Sequence, residues 1–163
     1  MDDLVDPVLE ALSSLGIAYE RYDHPPVFNT EDAEKYWRDI PATGVKNLFL
    51  RNKKGNRRYL VIAPVEKRVD LQRLVKVLAD DRLSFGSAER LMEKLGLTPG
   101  SVSPFGLLND AHGDVQVILD ADLRRAEKLI FHPNINTSSL TISFGDLEKF
   151  LASRGNRVDY VRL

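Results

Sequence analysis

At 163 residues with no cysteine, the chain has room for one domain with a substantial core and excludes disulfides, thiol nucleophiles and thiolate metal sites. A hydrophobic fraction of 43% beside 29% charged residues is that of a globular protein, and no apolar run approaches the roughly 18 residues of a membrane span. A formal net charge of −1 gives no global attraction to nucleic acid, so contact with a polyanion has to come from a local basic patch.

The start, Met1-Asp2-Asp3, lacks the basic flank of a secretory signal, so a cytoplasmic protein with no membrane partner is expected. Asp2 or Asp6 can cap a first amphipathic helix carrying Leu4, Val8, Leu9, Leu12 and Leu15, which Gly16 ends. Ile17 to Tyr22 reads as a short strand running into Asp23-His24-Pro25-Pro26, where the prolines forbid ladder pairing on their own nitrogens. His24 is therefore expected near a strand end, as an exposed loop residue without a partner. Thr30 caps a helix through about Trp37, and the following Ile40-Pro41-Ala42-Thr43 is small and apolar enough to wall a pocket.

Val45 to Leu50 has the composition of a buried strand. Alternation puts Lys46 on the face of Leu48 and Leu50, and Asn47 on the face of Val45 and Phe49. A lysine so flanked either snorkels to water at the sheet rim or directs its charge at an anion or carbonyl inside a cleft. Arg51 to Asn56 is a hairpin turn and Arg57 to Pro64 its return strand, apolar on both faces and so central to the sheet. Asp70 caps a helix with Leu71, Leu74, Val75 and Leu78; Leu83 to Phe85 is a short strand; Ser87 caps a helix from Ala88 to Leu95, closed by Gly96.

Leu97 to Gly106 holds two prolines, two glycines and two serines, a composition foreign to helix interiors and central strands. It is either a tight connection or a shaped loop whose amides at Gly100 to Ser103 hold a carbonyl oxygen or an oxyanion. Val115 to Leu119 is a strand, His112 is solvated in the preceding turn, and Asp120 to Arg125 forms a short helical turn. Lys128 to His132 and Ser138 to Ile142 pair across Pro133-Asn134-Ile135-Asn136. Ser143, with Asp146 three residues on, caps the last helix, and Val158 to Val161 is a final strand at the sheet edge.

Short strands in hairpins, interrupted by four or five helices without regular βαβ alternation, argue for an α+β fold: one domain, 1–163, with a mixed, largely antiparallel sheet and flanking helices. No spaced set of His, Asp and Glu suggests a metal, and no glycine-rich nucleotide loop suggests a cofactor.

Three segments, Gly44-Val45-Lys46-Asn47-Leu48-Phe49-Leu50, Pro99 to Gly106 and Phe131 to Thr137, occur in an order and with a terminal helix, Asp146 to Leu151, that resemble the YbaK/ProX family. These are freestanding relatives of the editing domain inserted in bacterial prolyl-tRNA synthetases, and the likeness is nearest to the ProX branch, deacylases for alanine mischarged onto proline tRNA. The resemblance spans nearly the whole chain and implies the prolyl-tRNA editing-domain fold, hydrolysis of a mischarged aminoacyl-tRNA, and prolyl-tRNA synthetase as a candidate partner. It implies that Lys46 serves catalysis and the terminal adenosine's phosphate, and that Gly100, Ser101, Val102 and Ser103 embrace the aminoacyl carbonyl. His132, followed by Asn136 and Thr137, would bound the aminoacyl pocket.

Ester hydrolysis needs a positioned water and donors aimed at the developing oxyanion. Direct water attack, assisted by the substrate's own ribose hydroxyl as in relatives, is expected in preference to an acyl-serine at Ser101 or Ser103. Selection for alanine would be steric, because a missing methylene is worth only about 1–3 kcal/mol to the synthetase and a smaller second pocket completes the sieve. Phe28, Ile40, Pro41, Ala42 and Val102 are the expected walls, and Lys53, Lys54, Arg57 and Arg58 the expected tRNA-binding cluster. Arg51, Arg124, Arg125 and Lys128 add further basic side chains. The alternatives are a deacylase of another mischarged tRNA, such as cysteinyl-tRNA(Pro), a non-catalytic tRNA- or synthetase-binding module, and a small-molecule esterase.

Overall fold

The computed structural model describes residues 4–163. Eight strands form one sheet in the order β1 (Glu20–Asp23), β7 (Ser138–Ser143), β6 (Lys128–Phe131), β2 (Thr43–Asn52), β3 (Arg58–Pro64), β5 (Val115–Asp120) and β8 (Val158–Val161), with β4 (Leu83–Phe85) also pairing β2. Four of the seven pairings are antiparallel, and the three parallel ones (β2 with β6, β3 with β5, β5 with β8) make the sheet mixed as expected.

The helices form where caps and apolar periodicity coincide. In α3 (Leu71–Leu78) the Asp70 carboxylate accepts from Gln72 and Arg73 N–H. Ser87 accepts from Arg90 N–H at the start of α4 (Ala88–Leu95), and Ser143 from Asp146 N–H at the start of α5 (Phe144–Arg154). Two starts differ from expectation. α1 (Asp6–Ser14) has Val5 at its N-cap position and Asp6 inside the first turn, so Asp6 favours the helix dipole rather than capping; Asp2 lies outside the described residues. α2 (Thr30–Trp37) is capped not by Thr30 but by Asn29, whose side chain accepts from Asp32 N–H. The first strand also starts later than expected, at Glu20, because Ile17 is drawn into the core beside Val8 and Leu12.

Helices cover both faces of the sheet. On one, α1, α4 and α5 pack Leu12, Leu95 and Phe150 against Val45, Phe49, Leu60 and Val117. On the other, α3 sets Leu74 against Leu50, Tyr59, Val61 and Ile118, while α2 places Ala33 and Trp37 over Ile130. Each fully buried apolar side chain of this kind contributes roughly 1.5–3 kcal/mol.

The two halves of the sheet are joined through β2, and the joint is incomplete. On its outer edge β2 pairs β6 only at Thr43 and Gly44, and β4 only from Leu50 to Asn52. The intervening Val45 to Phe49 is paired to β3 alone, so the sheet splits there. Peptide groups alternate sides along a strand. Gly44 C=O accepts from Val65 N–H on the β3 side and Phe49 C=O from Gly86 N–H on the other, which places the Asn47 peptide group on the open edge.

Candidate active site

The split is occupied by a cavity of about 300 Å³ that opens to solvent. β2 contributes Val45, Lys46, Asn47 and Leu48; α2 and the segment before it contribute Val27, Phe28, Ala33 and Trp37; the opposite wall is Pro99, Gly100 and Val102, with Phe131 and His132 at the end of β6. Lys46 and Asn47 reach the same space although alternation sends them to opposite faces, because the cavity wraps around the open edge of β2.

Lys46 is half-buried, and burial pushes its ammonium below the ordinary lysine value, with no charge among the described residues to offset it. Beside it, Asn47 Oδ1 is buried and has no hydrogen-bond partner among the described residues. His132 bonds through Nδ1 to the Ser138 carbonyl at 3.1 Å. A carbonyl can only accept, so Nδ1 carries the proton and Nε2 of the neutral ring is an acceptor. Burial lowers the His132 pKa, outweighing the Ser138 bond, and His24 lowers it further.

The inner end is aromatic and fixed. Trp37 Nε1 donates to Ser139 Oγ at 2.9 Å, and its ring lies over Gly44, where a Cβ would come within 2.7 Å of Cε3. Only a residue without a side chain leaves room for the indole. His24 is not the partnerless residue expected: its Nε2 meets Ser139 Oγ at 2.8 Å, its ring stacks on Tyr36 at 5.2 Å, and it lies edge-on to His132 at 6.0 Å. His24 Nδ1 also meets the Pro25 carbonyl, so the rings of His24 and Trp37 are both tied to the one Ser139 hydroxyl. Nothing in the local sequence of His24 signals a partner 115 positions away.

The loop Leu97 to Gly106 forms two short 3₁₀ turns, Pro99–Ser101 and Pro104–Asn109. Phe105 anchors it, fully buried with ring contacts of 5.9 Å to Phe131 and 5.1 Å to Phe150. Such pairs contribute about 0.5–1.5 kcal/mol each beyond burial. The loop presents Gly100 and Val102 to the cavity, but not its serines. Ser101 is buried, with its N–H donating to Thr98 C=O, and the Ser103 hydroxyl accepts from Phe105 N–H to cap the next turn. The Ser103 hydroxyl has structural work and neither serine lines the cavity, so neither is placed as a nucleophile.

Other expected site residues act at a distance. Asn136 Nδ2 donates to Val27 C=O at 2.9 Å while its own C=O accepts from Val27 N–H, and Thr137 C=O accepts from His24 N–H. Both residues thus hold the wall segment 24–28 in place rather than lining the cavity. Ile40 packs with Ala42 against the cluster of Val27, Ala33, Trp37 and Ile130, behind the wall, and Pro41 is exposed. Phe28 does stand at the cavity, 72% exposed at its mouth. The basic hairpin lies roughly 20 Å from Lys46 along β2. Lys53, Lys54 and Arg57 are exposed at its tip, Arg58 is half-buried, and Asp81 accepts from Lys53 N–H at 2.6 Å. Among the described residues, no group of three or more His, Asp or Glu side chains is placed to hold a metal ion, and no helix is long and apolar enough to cross a membrane.

A mixed sheet split around a lysine-bearing cavity, walled by a proline–glycine loop, defines the class. The chain belongs to the aminoacyl-tRNA editing domain family, whose sequence model matches residues 24–150. It is 38% identical to the prolyl-tRNA editing protein ProX of Acetoanaerobium sticklandii, over 99% of this chain and 98% of that protein. It is 32% identical to the prolyl-tRNA synthetase associated domain-containing protein 1 of Xenopus laevis, covering 94% of each. A solved structure described as a candidate trans-editing enzyme for prolyl tRNA synthetase superposes with a TM-score of 0.73 at 18% identity, over 98% of this chain and 97% of that one, which speaks to the fold.

Proposed function

We propose that this chain, acting as one editing unit over 1–163, hydrolyses mischarged aminoacyl-tRNA, alanyl-tRNA(Pro) foremost, to free amino acid and intact tRNA. It would do so in the cytoplasm, beside prolyl-tRNA synthetase. The observation that carries this reading is the half-buried Lys46, without a carboxylate partner among the described residues, lining a small cavity together with Gly100. An ester carbonyl seated there meets an amide donor and a cation where negative charge develops. Water adds to the carbonyl carbon, the tetrahedral oxyanion is held by these donors, and collapse breaks the bond to the ribose oxygen, which takes up a proton. No protein nucleophile is needed.

The aminoacyl side chain would project toward Val27, Ala33, Val45 and Trp37, and the space left by the anchored indole sets its size. The tRNA body would extend from the mouth past Phe28, with Lys53, Lys54 and Arg57 available to phosphates farther along. The test is single-turnover deacylation of proline tRNA charged with alanine, serine, cysteine or proline. Fast release of alanine with proline spared is expected. Preference for cysteine would move the activity to another substrate of the same class, and no release from any would leave a non-catalytic binding module.

A further inference from the structure

The cavity has an uneven charge inventory. Lys46 from β2 is a cation, His132 is held with Nε2 as an acceptor, and among the described residues no aspartate or glutamate lines the space. The loop Pro99 to Val102 contributes no titratable group. Behind His132 stands His24, engaged with Ser139 and Pro25. On the adjoining first turn of α2, Glu31 is exposed and the Asp32 carboxylate accepts from Phe28 N–H at 3.3 Å.

His132 Nε2 is an acceptor on this cavity with no donor among the described residues. An acceptor that a bound ligand seals from water is costly when left unpaired, so a ligand that fits supplies an N–H or O–H group. An aminoacyl ester carries such a group in its α-amine, which exists as an ammonium or as a free amine. An ammonium confined to about 300 Å³ beside Lys46 meets a like charge, with no lining carboxylate among the described residues to offset it. A free amine meets neither problem and brings two N–H donors.

We propose that the cavity takes its aminoacyl substrate with the α-amine deprotonated, His132 Nε2 accepting one of its N–H bonds. The amine's proton is left in bulk water before binding. Burial keeps His132 neutral, as an acceptor, at neutral pH. The proposal rests on the deacylase reading and adds a consequence that reading does not require: the enzyme selects an ionisation state of its substrate.

The test compares kcat/KM for alanyl-tRNA(Pro) with that for lactyl-tRNA(Pro), which carries a hydroxyl in place of the amine, after subtracting uncatalysed hydrolysis. Titrations of the enzyme cancel in the ratio. It is expected to rise about tenfold per pH unit below the amine's pKa, which for an α-amine lies near 7–8, and to level off above it. A ratio that is flat, or that falls as pH rises, overturns the proposal while leaving the deacylase reading intact. Cleavage of neither ester at any pH overturns both. The Asp32→Asn protein is expected to show the same slope; a changed slope there would assign the amine to Asp32 instead.

Discussion

Two part-buried lysines stand in opposite surroundings. Lys67 Nζ lies 2.7 Å from the fully buried carboxylate of Asp120 and 2.7 Å from that of Asp122. Burial alone would lower its pKa, but the two carboxylates outweigh this and raise it. Lys46 has burial without a carboxylate partner among the described residues, and its pKa falls. Lys67 sits between two carboxylates that the fold supplies, whereas Lys46 faces the cavity with no carboxylate partner among the described residues. An uncompensated charge in a cleft is tolerated where a ligand uses it.

The sharpest way to probe the closed member of this pair is Lys67→Met. It strands the Asp120 carboxylate, and the loss of stability is expected to be about 3 kcal/mol, at the low end for a broken buried pair because Lys67 keeps a fifth of its side chain exposed. Denaturant unfolding measures it, and deacylation by the folded fraction should be unchanged. Gly44→Ala attacks the cavity side. Its Cβ would press on an indole already tied to Ser139, so destabilisation of roughly 1–3 kcal/mol is expected, together with weaker rejection of prolyl-tRNA.

A smaller effect concerns pH. The folded-state pKa of His132 lies below its ordinary value of 6.5, so between the two the unfolded chain binds more protons and stability rises with pH. That stability is lost as pH falls through the window, and His132→Asn should flatten the slope there in denaturant titrations at stepped pH. The smallest effect belongs to the hairpin. Lys53→Glu with Lys54→Glu should shift stability by no more than about 0.5 kcal/mol, since both side chains are exposed. The same pair should weaken tRNA binding a few-fold at low salt and less at high salt, read by anisotropy titration at both.

The contrast between the lysines also marks how far the sequence could be read. Local signals held where structure is local: Asp70, Ser87 and Ser143 cap helices, and the β2–β3 hairpin lies centrally, because capping and turn chemistry act within a few residues. Lys46, Gly100, Val102, Phe28 and His132, distant in the chain, line one cavity. What could not be read depends on contacts distant in the chain. His24 finds Ser139, Asn136 finds Val27, and the split of the sheet arises because β6 reaches β2 at only two residues. The same split makes Asn47 a cavity residue, which alternation alone would send to the core face beside Val45. Ser103 was legible as a polar residue in a shaped loop, yet its hydroxyl accepts from Phe105 N–H as the N-cap of the next turn, with Ser103 itself extended.

The most direct test of the account is single-turnover deacylation of alanyl-tRNA(Pro) by the Lys46→Ala protein, with the unfolding midpoint taken on the same sample. The expected result is a rate reduced about 100- to 1000-fold, the usual consequence of losing one stabiliser of the developing oxyanion, with the midpoint held or slightly raised. A rate close to that of the unaltered protein, or a rate lost together with the fold, would contradict the claim that Lys46 is kept unpaired for the substrate.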